Sequence, residues 1–370
     1  MISNRKKILL VLPNYGKGGM ERQLSILLNQ GVSSNILIDV ALFRNKIEYS
    51  IPSNSNVNFI VLNKKYKIDL CFIFRLAKLI INPSYDLIHA KIPGPNEYII
   101  VLCKLLNKKN FIIEFRNSGD REYWNYVKAA FLLRIFGLDR CRIICNSEKA
   151  LRETKKVFGF FGLSPNAFCI KNGIDTNVFK KLNVIKENGK FVIGYVGRIA
   201  PQKNLECLIK AMALFCNEVS LQLPIIPVIY IIKSFIDRAY LNSIEKLIKS
   251  LRLENSINFF DTIDLIEEWY NKFDLFVLSS HEEGTPNVLL EAMACETVCI
   301  LSNGANSDGF LTESFIFPTN DPQQLYSLIM KIIKMSEIDR AKIGRINRDF
   351  VVNQFSMHKM IDKYEEIWRE

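Results

Sequence analysis

The chain has 370 residues, 49% of them hydrophobic and 24% charged, which is apolar content for about two globular domains and excludes a disordered chain. Its net charge of +11 is unevenly spread: residues 1–180 hold 28 basic and 13 acidic side chains (+15), the remainder 21 and 25 (−4). The basic half suits phosphorylated substrates or an anionic membrane surface. Nucleic acid is set aside, because no zinc finger, aromatic RNA-binding strand or basic zipper occurs.

Nine cysteines occur without a C-x-x-C pair or a histidine cluster, which reads as buried thiols in a reducing cytosol. Near the N-terminus the apolar run at residues 8–12 stops at Pro13 and reads as a first strand rather than a leader. The longest apolar run, residues 221–232, is broken by Gln222, Pro224 and Pro227 and falls short of the roughly 20 residues of a spanning helix.

Residues 7–12 predict a buried strand, followed by PNYGKGGMERQ and a helix with Leu24, Leu27 and Leu28 on one face. Gly16, Gly18 and Gly19 in that turn permit either close approach to a ligand or a tight connection. Residues 36–43 and 57–62 predict strands, and residues 69–81 an amphipathic helix carrying Arg75 and Lys78. A strand at residues 86–90 presents His89 at its carboxyl end, where ligands of open parallel sheets gather; a half-buried core histidine is the other reading. After a strand at residues 111–115, Arg116, Asn117 and Arg121 stand on a loop that can reach a binding site. Residues 122–138 predict a helix mixing Trp124, Tyr126, Phe131 and Ile135 with Lys128 and Arg134, which either lies on an anionic bilayer or faces the core with snorkelling cations. A strand at residues 142–146, a helix capped by Ser147 and the turn CIKNGID with Asn172 and Gly173 complete the first half.

Residues 179–190 are polar and aperiodic and predict the linker. From Phe191, FVIGYVGRIAPQKNLECLIKAM reads as strand, loop and helix, with Gly197, Arg198 and Lys203 in the loop. Cations there can offset a diphosphate and the charge that grows on it as it departs. Strands at residues 227–233 and 257–260 alternate with helices at residues 240–251 and 263–270, the pattern of an α/β fold. Residues 279–304, SSHEEGTPNVLLEAMACETVCILSNG, read as turn, helix and strand after the apolar FDLFVL. Thr285 predicts the N-cap, with Pro286 first in the helix. The N–H groups of Asn287, Val288 and Leu289 then form an anion site between Glu283 and Glu291, and Glu291 shares a face with Asn287.

These residues carry a resemblance. Glu283, seven residues and then Glu291, within EEGTPNVLLEAMA, resemble the signature of retaining glycosyltransferases of family 4. GGMER, the histidine of DLIHA (where Lys91 replaces a second histidine), CIKNGID and a G-R-x-x-x-x-K loop with Arg198 and Lys203 in register follow that family's order, as does the last helix FSMHKMIDKYEEIWRE. The resemblance implies the GT-B fold, an α/β architecture of two Rossmann-like domains facing each other across a cleft. Residues 1–180 would be the basic acceptor domain, residues 190–355 the nucleotide-sugar domain, and residues 356–370 a helix crossing back. It implies sugar transfer from a nucleotide-diphosphate donor, a UDP-sugar favoured, to a lipid-linked or oligosaccharide acceptor in bacterial surface polysaccharide synthesis. The enzyme would be cytoplasmic and peripheral on the plasma membrane, without metal or cofactor. By the same resemblance Gly18, Gly19, Gly284, Asn287, Val288 and Leu289 would contact the donor, Glu291 its ribose and Glu283 the transferred sugar. Arg198 and Lys203 would meet the departing diphosphate, His89 the donor sugar or reacting face, and Arg116, Asn117 and Asn172 the acceptor side.

The chain departs from the family at Lys233, Ser234 and Phe235, where Gly-x-Gly is usual, at Asp261, and at Glu296, which is tolerable if its helix ends without a left-handed cap. Two alternatives stay open: a sugar-nucleotide epimerase of the same fold, and, given the missing Gly-x-Gly, a non-catalytic subunit of a polysaccharide assembly complex.

Overall fold

Strand β1 (Lys6–Leu12) is apolar from Ile8 onward and covered on both faces, as a central parallel strand requires. It belongs to the first of two compact units in a computed structural model that describes residues 5–16, 18–30, 32–52, 55–116, 120–137, 141–219, 226–261 and 265–370. Unit 1 comprises Met1–Gly173 and Met357–Glu370, and unit 2 comprises Ile174–Ser356.

In unit 1, β1 is followed by α1 (Gly19–Asn29), β2 (Ile36–Leu42), β3 (Val57–Val61), α2 (Leu70–Ile81), β4 (Leu87–Lys91) and α3 (Pro95–Leu105). Then come β5 (Phe111–Phe115), α4 (Asp120–Phe136), β6 (Arg142–Cys145), α5 (Glu148–Phe160) and β7 (Asn166–Cys169). The strands form one parallel sheet in the order β3-β2-β1-β4-β5-β6-β7. Alternation along β1 divides the core. Leu9 and Val11 pack with residues of α2, α3, α4 and α5, whereas Ile8, Leu10 and Leu12 pack with α1 and with the helix formed by Met357–Arg369.

Unit 2 runs β8 (Lys190–Ile199), α6 (Leu205–Val219), β9 (Ile226–Ile236), α7 (Arg238–Ser250), β10 (Ile257–Phe260), α8 (Ile266–Lys272) and β11 (Leu275–Leu278). It continues with α9 (Asn287–Ala294), β12 (Cys299–Ser302), β13 (Ile316–Phe317), α10 (Pro322–Lys334) and α11 (Glu337–Phe355), after which α12 (Met357–Arg369) returns to unit 1. Its sheet is also parallel, in the order β10-β9-β8-β11-β12-β13, so the strand order reverses between β8 and β11 as it does between β1 and β4.

The boundary differs from the sequence expectation. Residues 179–190 pack on unit 2 rather than linking the halves: the Leu182 N–H donates to Asn271 Oδ1 at 2.8 Å, and Lys186 pairs with Asp274 at 2.7 Å. Helix α3 has no counterpart in the sequence reading; Gly94 (φ 96°) is its N-cap and Pro95 its first residue.

Candidate active site

Where a parallel sheet reverses its strand order, the loops leaving the two flanking strands diverge and open a crevice at the carboxyl edge. In unit 2 both loops carry charge. The end of β8 presents Gly197 and Arg198, and the loop after it makes a 3-10 turn at Pro201–Lys203 and turns again at Asn204 in the left-handed region (φ 49°). The loop after β11 presents Ser279, Ser280 and Glu283. Lys203 Nζ donates to Glu283 Oε1, and the Ser280 hydroxyl donates to the same oxygen at 2.6 Å. Lys203 and Glu283 are both buried. Arg198 is exposed; its Nη2 donates to Gln202 Oε1 at 2.7 Å, and Gln202 Nε2 donates to the Glu282 carbonyl at 2.9 Å. The Ser279 hydroxyl donates to the carbonyls of Lys203 and Asn204, at 3.1 and 2.9 Å. Arg198, Lys203 and Glu283 therefore come together, and Lys203 and Glu283, assigned to different parts of a ligand by sequence, are partners.

Helix α9 begins one residue later than predicted, with Pro286 rather than Thr285 as N-cap. The Leu289 N–H donates to the Pro286 carbonyl at 3.1 Å, which removes it from the expected anion-facing set with Asn287 and Val288. Glu291, one turn beyond Asn287, is 2% exposed and its Oε2 accepts from the Tyr270 hydroxyl at 2.8 Å. Tyr270, on α8, was missed by sequence reasoning because no local spacing links it to Glu291. Ser280, three residues before Glu283, had a legible signal: a hydroxyl that close can reach back to the acid. The Ser307 hydroxyl donates to the carbonyls of Glu283 and Gly284, at 2.9 and 3.3 Å, and the Glu283 N–H donates to the Gly304 carbonyl at 3.2 Å. A Cβ at Gly304 would fall 1.9 Å from the His281 carbonyl oxygen, so glycine is what lets the two loops approach.

The end of α9 does not meet the condition under which Glu296 sits without strain. It adopts φ 61°, its N–H donates to the Met293 carbonyl at 3.0 Å, and the Thr297 N–H donates to the Ala292 carbonyl at 3.1 Å. This is a left-handed Schellman cap, a position glycine fills without strain.

Two departures that looked independent in sequence meet in space. Lys233 Nζ lies 3.0 Å from Asp261 Oδ1. Ile232 on β9 pairs with Phe260 on β10, so the parallel register sets the following residues side by side at the carboxyl edge, next to Gly197 of β8. The side chains of Ser234 and Phe235 lie outside the described residues.

The unit 1 candidates converge on an internal network instead. His89 is the third residue of β4, not the last, and is fully buried. Its Nδ1 accepts from the Trp368 indole N–H at 3.1 Å, which leaves its hydrogen on Nε2, 3.0 Å from Glu114 Oε2. Burial lowers its pKa to about 4, with the charges of Lys91 and Arg116 acting the same way and Glu114 opposing. Lys91 donates to Glu114 Oε2 at 2.7 Å and to the Tyr364 hydroxyl at 3.1 Å, and burial brings its pKa down to about 8. Arg116 reaches Glu114 through Nε, the Tyr364 hydroxyl at 2.8 Å and Asn172 Oδ1 at 3.4 Å. Burial pushes the Glu114 carboxyl up, but Arg116 and Lys91 outweigh it and hold the pKa well below the usual range. His89, Arg116 and Asn172, expected to face the sugar and the acceptor, are thus joined in one network around Glu114, beneath α12. Asn117 lies outside the described residues.

Gly18 is the N-cap of α1 and Gly19 its first residue. A Cβ on Gly18 would come within 2.3 Å of Glu21 Oε2, so the acid of GGMER occupies the space over this turn. Burial raises the Glu21 pKa, against its own backbone N–H and the Arg116 charge.

Among the described residues no group of His, Cys, Asp or Glu is placed to hold a metal ion, and no helix is long and apolar enough to cross a membrane.

The chain is similar to known proteins over nearly its whole length. Residues 17–178 match the family model described as Glycosyltransferase Family 4, and residues 178–350 the model described as Glycosyl transferases group 1. The chain is 22% identical over 315 residues to the N-acetyl-alpha-D-glucosaminyl L-malate synthase of Bacillus anthracis, covering 81% of this chain and 78% of that protein. It is 25% identical over 313 residues to a Campylobacter jejuni N-acetylgalactosamine-N,N'-diacetylbacillosaminyl-diphospho-undecaprenol 4-alpha-N-acetylgalactosaminyltransferase, covering 80% and 81%. Other matching proteins are glycosyltransferases of capsule and O-antigen biosynthesis. Among solved structures, that of Anabaena HepE in complex with UDP and glucose superposes with a TM-score of 0.75 at 17% identity, over 99% of this chain and all of that one.

Proposed function

Because the chain belongs to the GT-B glycosyltransferases, with a family 4-like first part and a group 1 second part, we propose that it is a retaining hexosyltransferase of family 4. It moves a sugar from a UDP-sugar to a lipid-linked saccharide of a bacterial surface polysaccharide, at the cytoplasmic face of the membrane. The observation that carries this reading is the junction of Lys203 with Glu283 beside exposed Arg198, at the reversal of the unit 2 sheet.

In this reading Arg198, Lys203 and the first turn of α9 face the diphosphate, Glu291 meets the ribose, and Glu283 holds the transferred sugar. The bond from the anomeric carbon to the β-phosphate oxygen breaks, and one to the acceptor hydroxyl oxygen forms on the same face. The acceptor proton passes to the departing phosphate oxygen. Negative charge grows on that phosphate, so fixed cations stabilise the transition state more than the ground state. No separate nucleophile is required. The donor is supported by the UDP and glucose of the HepE complex, and the acceptor by the undecaprenol compound in the name of the Campylobacter relative.

The test is a mass-spectrometric transfer assay with a panel of nucleotide sugars and an undecaprenyl-diphosphate saccharide. Glycosylated acceptor with the donor's anomeric configuration is the expected product, lost in Glu283→Gln. An isomerised donor formed without acceptor would replace transfer by epimerisation. Binding of no nucleoside diphosphate would end the catalytic reading.

A further inference from the structure

Helix α2 is apolar on both sides. Phe72, Leu76 and Ile80 enter the unit 1 core, yet Leu70 and Phe74 face outward, 75% and 72% exposed. The preceding segment adds Tyr66 and Ile68, 70% and 78% exposed. An apolar stripe on the side of a helix away from the core is ordinarily covered. Cations surround this face: Lys65, Lys67, Arg75 and Lys78 are all exposed.

The one acid between residues 55 and 82 is Asp69, and it is turned inward. Its Oδ1 accepts from the Phe72 N–H and its Oδ2 from the Lys65 N–H, each at 2.9 Å. Arg75 Nη2 donates to the Asn63 carbonyl at 3.2 Å. The segment carrying Tyr66 and Ile68 is therefore fastened to the start of α2, and its apolar side chains add to the face of the helix.

We infer that this face, formed by Tyr66, Ile68, Leu70 and Phe74 with Lys65, Lys67, Arg75 and Lys78, docks the protein on an anionic lipid bilayer. This deepens the reading of a membrane-borne acceptor by giving the membrane a surface on this chain. The apolar side chains project from the helix and the segment before it, where they can insert among lipid headgroups, while the cations around them meet lipid phosphates. A second copy of the chain is a poor occupant, since it would set cation against cation. Helix α4 is the competing surface, with Trp124, Phe131 and Ile135 exposed beside Lys128 and Arg134. The α2 face has no exposed acid, since Asp69 is buried, and the α4 variant below tests the competing surface directly.

The experiment is co-sedimentation of the purified chain with phosphatidylcholine vesicles and with phosphatidylcholine–phosphatidylglycerol vesicles, at low salt and at about 0.5 M salt, where surface charges are screened. The variants are Leu70→Gln/Phe74→Gln, Lys65→Gln/Lys67→Gln/Arg75→Gln/Lys78→Gln, and Trp124→Gln/Phe131→Gln. Every substituted side chain is at least half exposed or a surface cation, so folding is retained, which UDP binding and the thermal midpoint check. Binding to anionic vesicles that weakens about tenfold in the apolar variant, and about fivefold per cation in the charge variant with loss of salt dependence, is the expected result. Absence of vesicle binding at low salt, equal binding to neutral vesicles, unchanged binding in both α2 variants, or loss only in the α4 variant would each overturn the inference. Sugar transfer without vesicle binding defeats this inference and leaves the transferase reading intact. Vesicle binding without nucleotide binding does the reverse.

Discussion

The Lys203 ammonium and the Glu283 carboxylate form a buried ion pair joining the two loops that leave β8 and β11, the strands between which the unit 2 sheet reverses. Removing one partner leaves the other charge in a poorly hydrated place. Glu283→Ala and Lys203→Met are each expected to lower the stability of unit 2 by about 3 kcal/mol and kcat by about a hundredfold. Urea unfolding of the two single variants and the double variant reads the coupling. A coupling near zero would show that the pair behaves like a solvent-exposed one.

Glu296 occupies the left-handed position of the α9 cap, where a side chain costs about 1 kcal/mol relative to glycine. Glu296→Gly is therefore expected to stabilise the protein by about that amount, read as a higher urea midpoint at unchanged slope. A lower midpoint would mean that the Glu296 side chain makes contacts that outweigh its backbone strain.

His89 makes unit 1 sensitive to acid. Its folded pKa of about 4 lies below the ordinary 6.5, so between those values the unfolded chain holds a proton that the native state does not. This contribution is complete above pH 6.5 and is lost as pH falls towards 4. Between pH 7 and pH 5 the expected loss from this group is about 2 kcal/mol. His89→Gln should remove that part of the pH dependence, and denaturation curves at the two pH values compare it with wild type. Parallel pH profiles would show that His89 titrates alike in both states.

The pair formed by Lys233 and Asp261 should matter for ligand rather than for stability. The Asp261 side chain is 91% exposed, so the pair contributes at most about 1 kcal/mol, and Lys233→Met and Asp261→Asn are expected to shift the thermal midpoint by no more than about 3 °C. Lys233 stands at the carboxyl edge beside Gly197, where a nucleotide is proposed to lie. Calorimetric titration with UDP is expected to show binding about fivefold weaker in Lys233→Met and tighter in Asp261→Asn, which releases the ammonium. Equal affinity in all three proteins would place the nucleotide elsewhere.

What the sequence revealed follows from how local each feature is. Strands β1, β5, β8 and β11 are predominantly apolar runs and were legible, as was the helical periodicity of α2. The loops bearing Arg198, Lys203 and Glu283 were found because each is a short motif. That Lys203 and Glu283 are bonded was not, since 80 residues separate them. Glu114 was unmarked: an acid inside FIIEF gives no hint of the Lys91, Arg116, Tyr364 and Trp368 around it, which only the parallel pairing of β4 with β5 and the return of α12 bring together. His89 looked like a ligand-facing strand end because Lys91 extends β4 by a cation that is stable in the interior only beside Glu114.

Helix α12 also sets an order of assembly. A ribosome delivers all of unit 2 before residues 357–370, so throughout that interval the nascent first sheet lacks Met360, Tyr364 and Trp368 on one side. Ile8, Leu10 and Ile112 then present an oily flank, and Glu114 with its cations is open to water. A polypeptide stalled within unit 2 would carry that flank to chaperones and proteases, whereas one that has received α12 would not. Helix α12, made after unit 2, thus seals a flank of unit 1 that the earlier strands leave open.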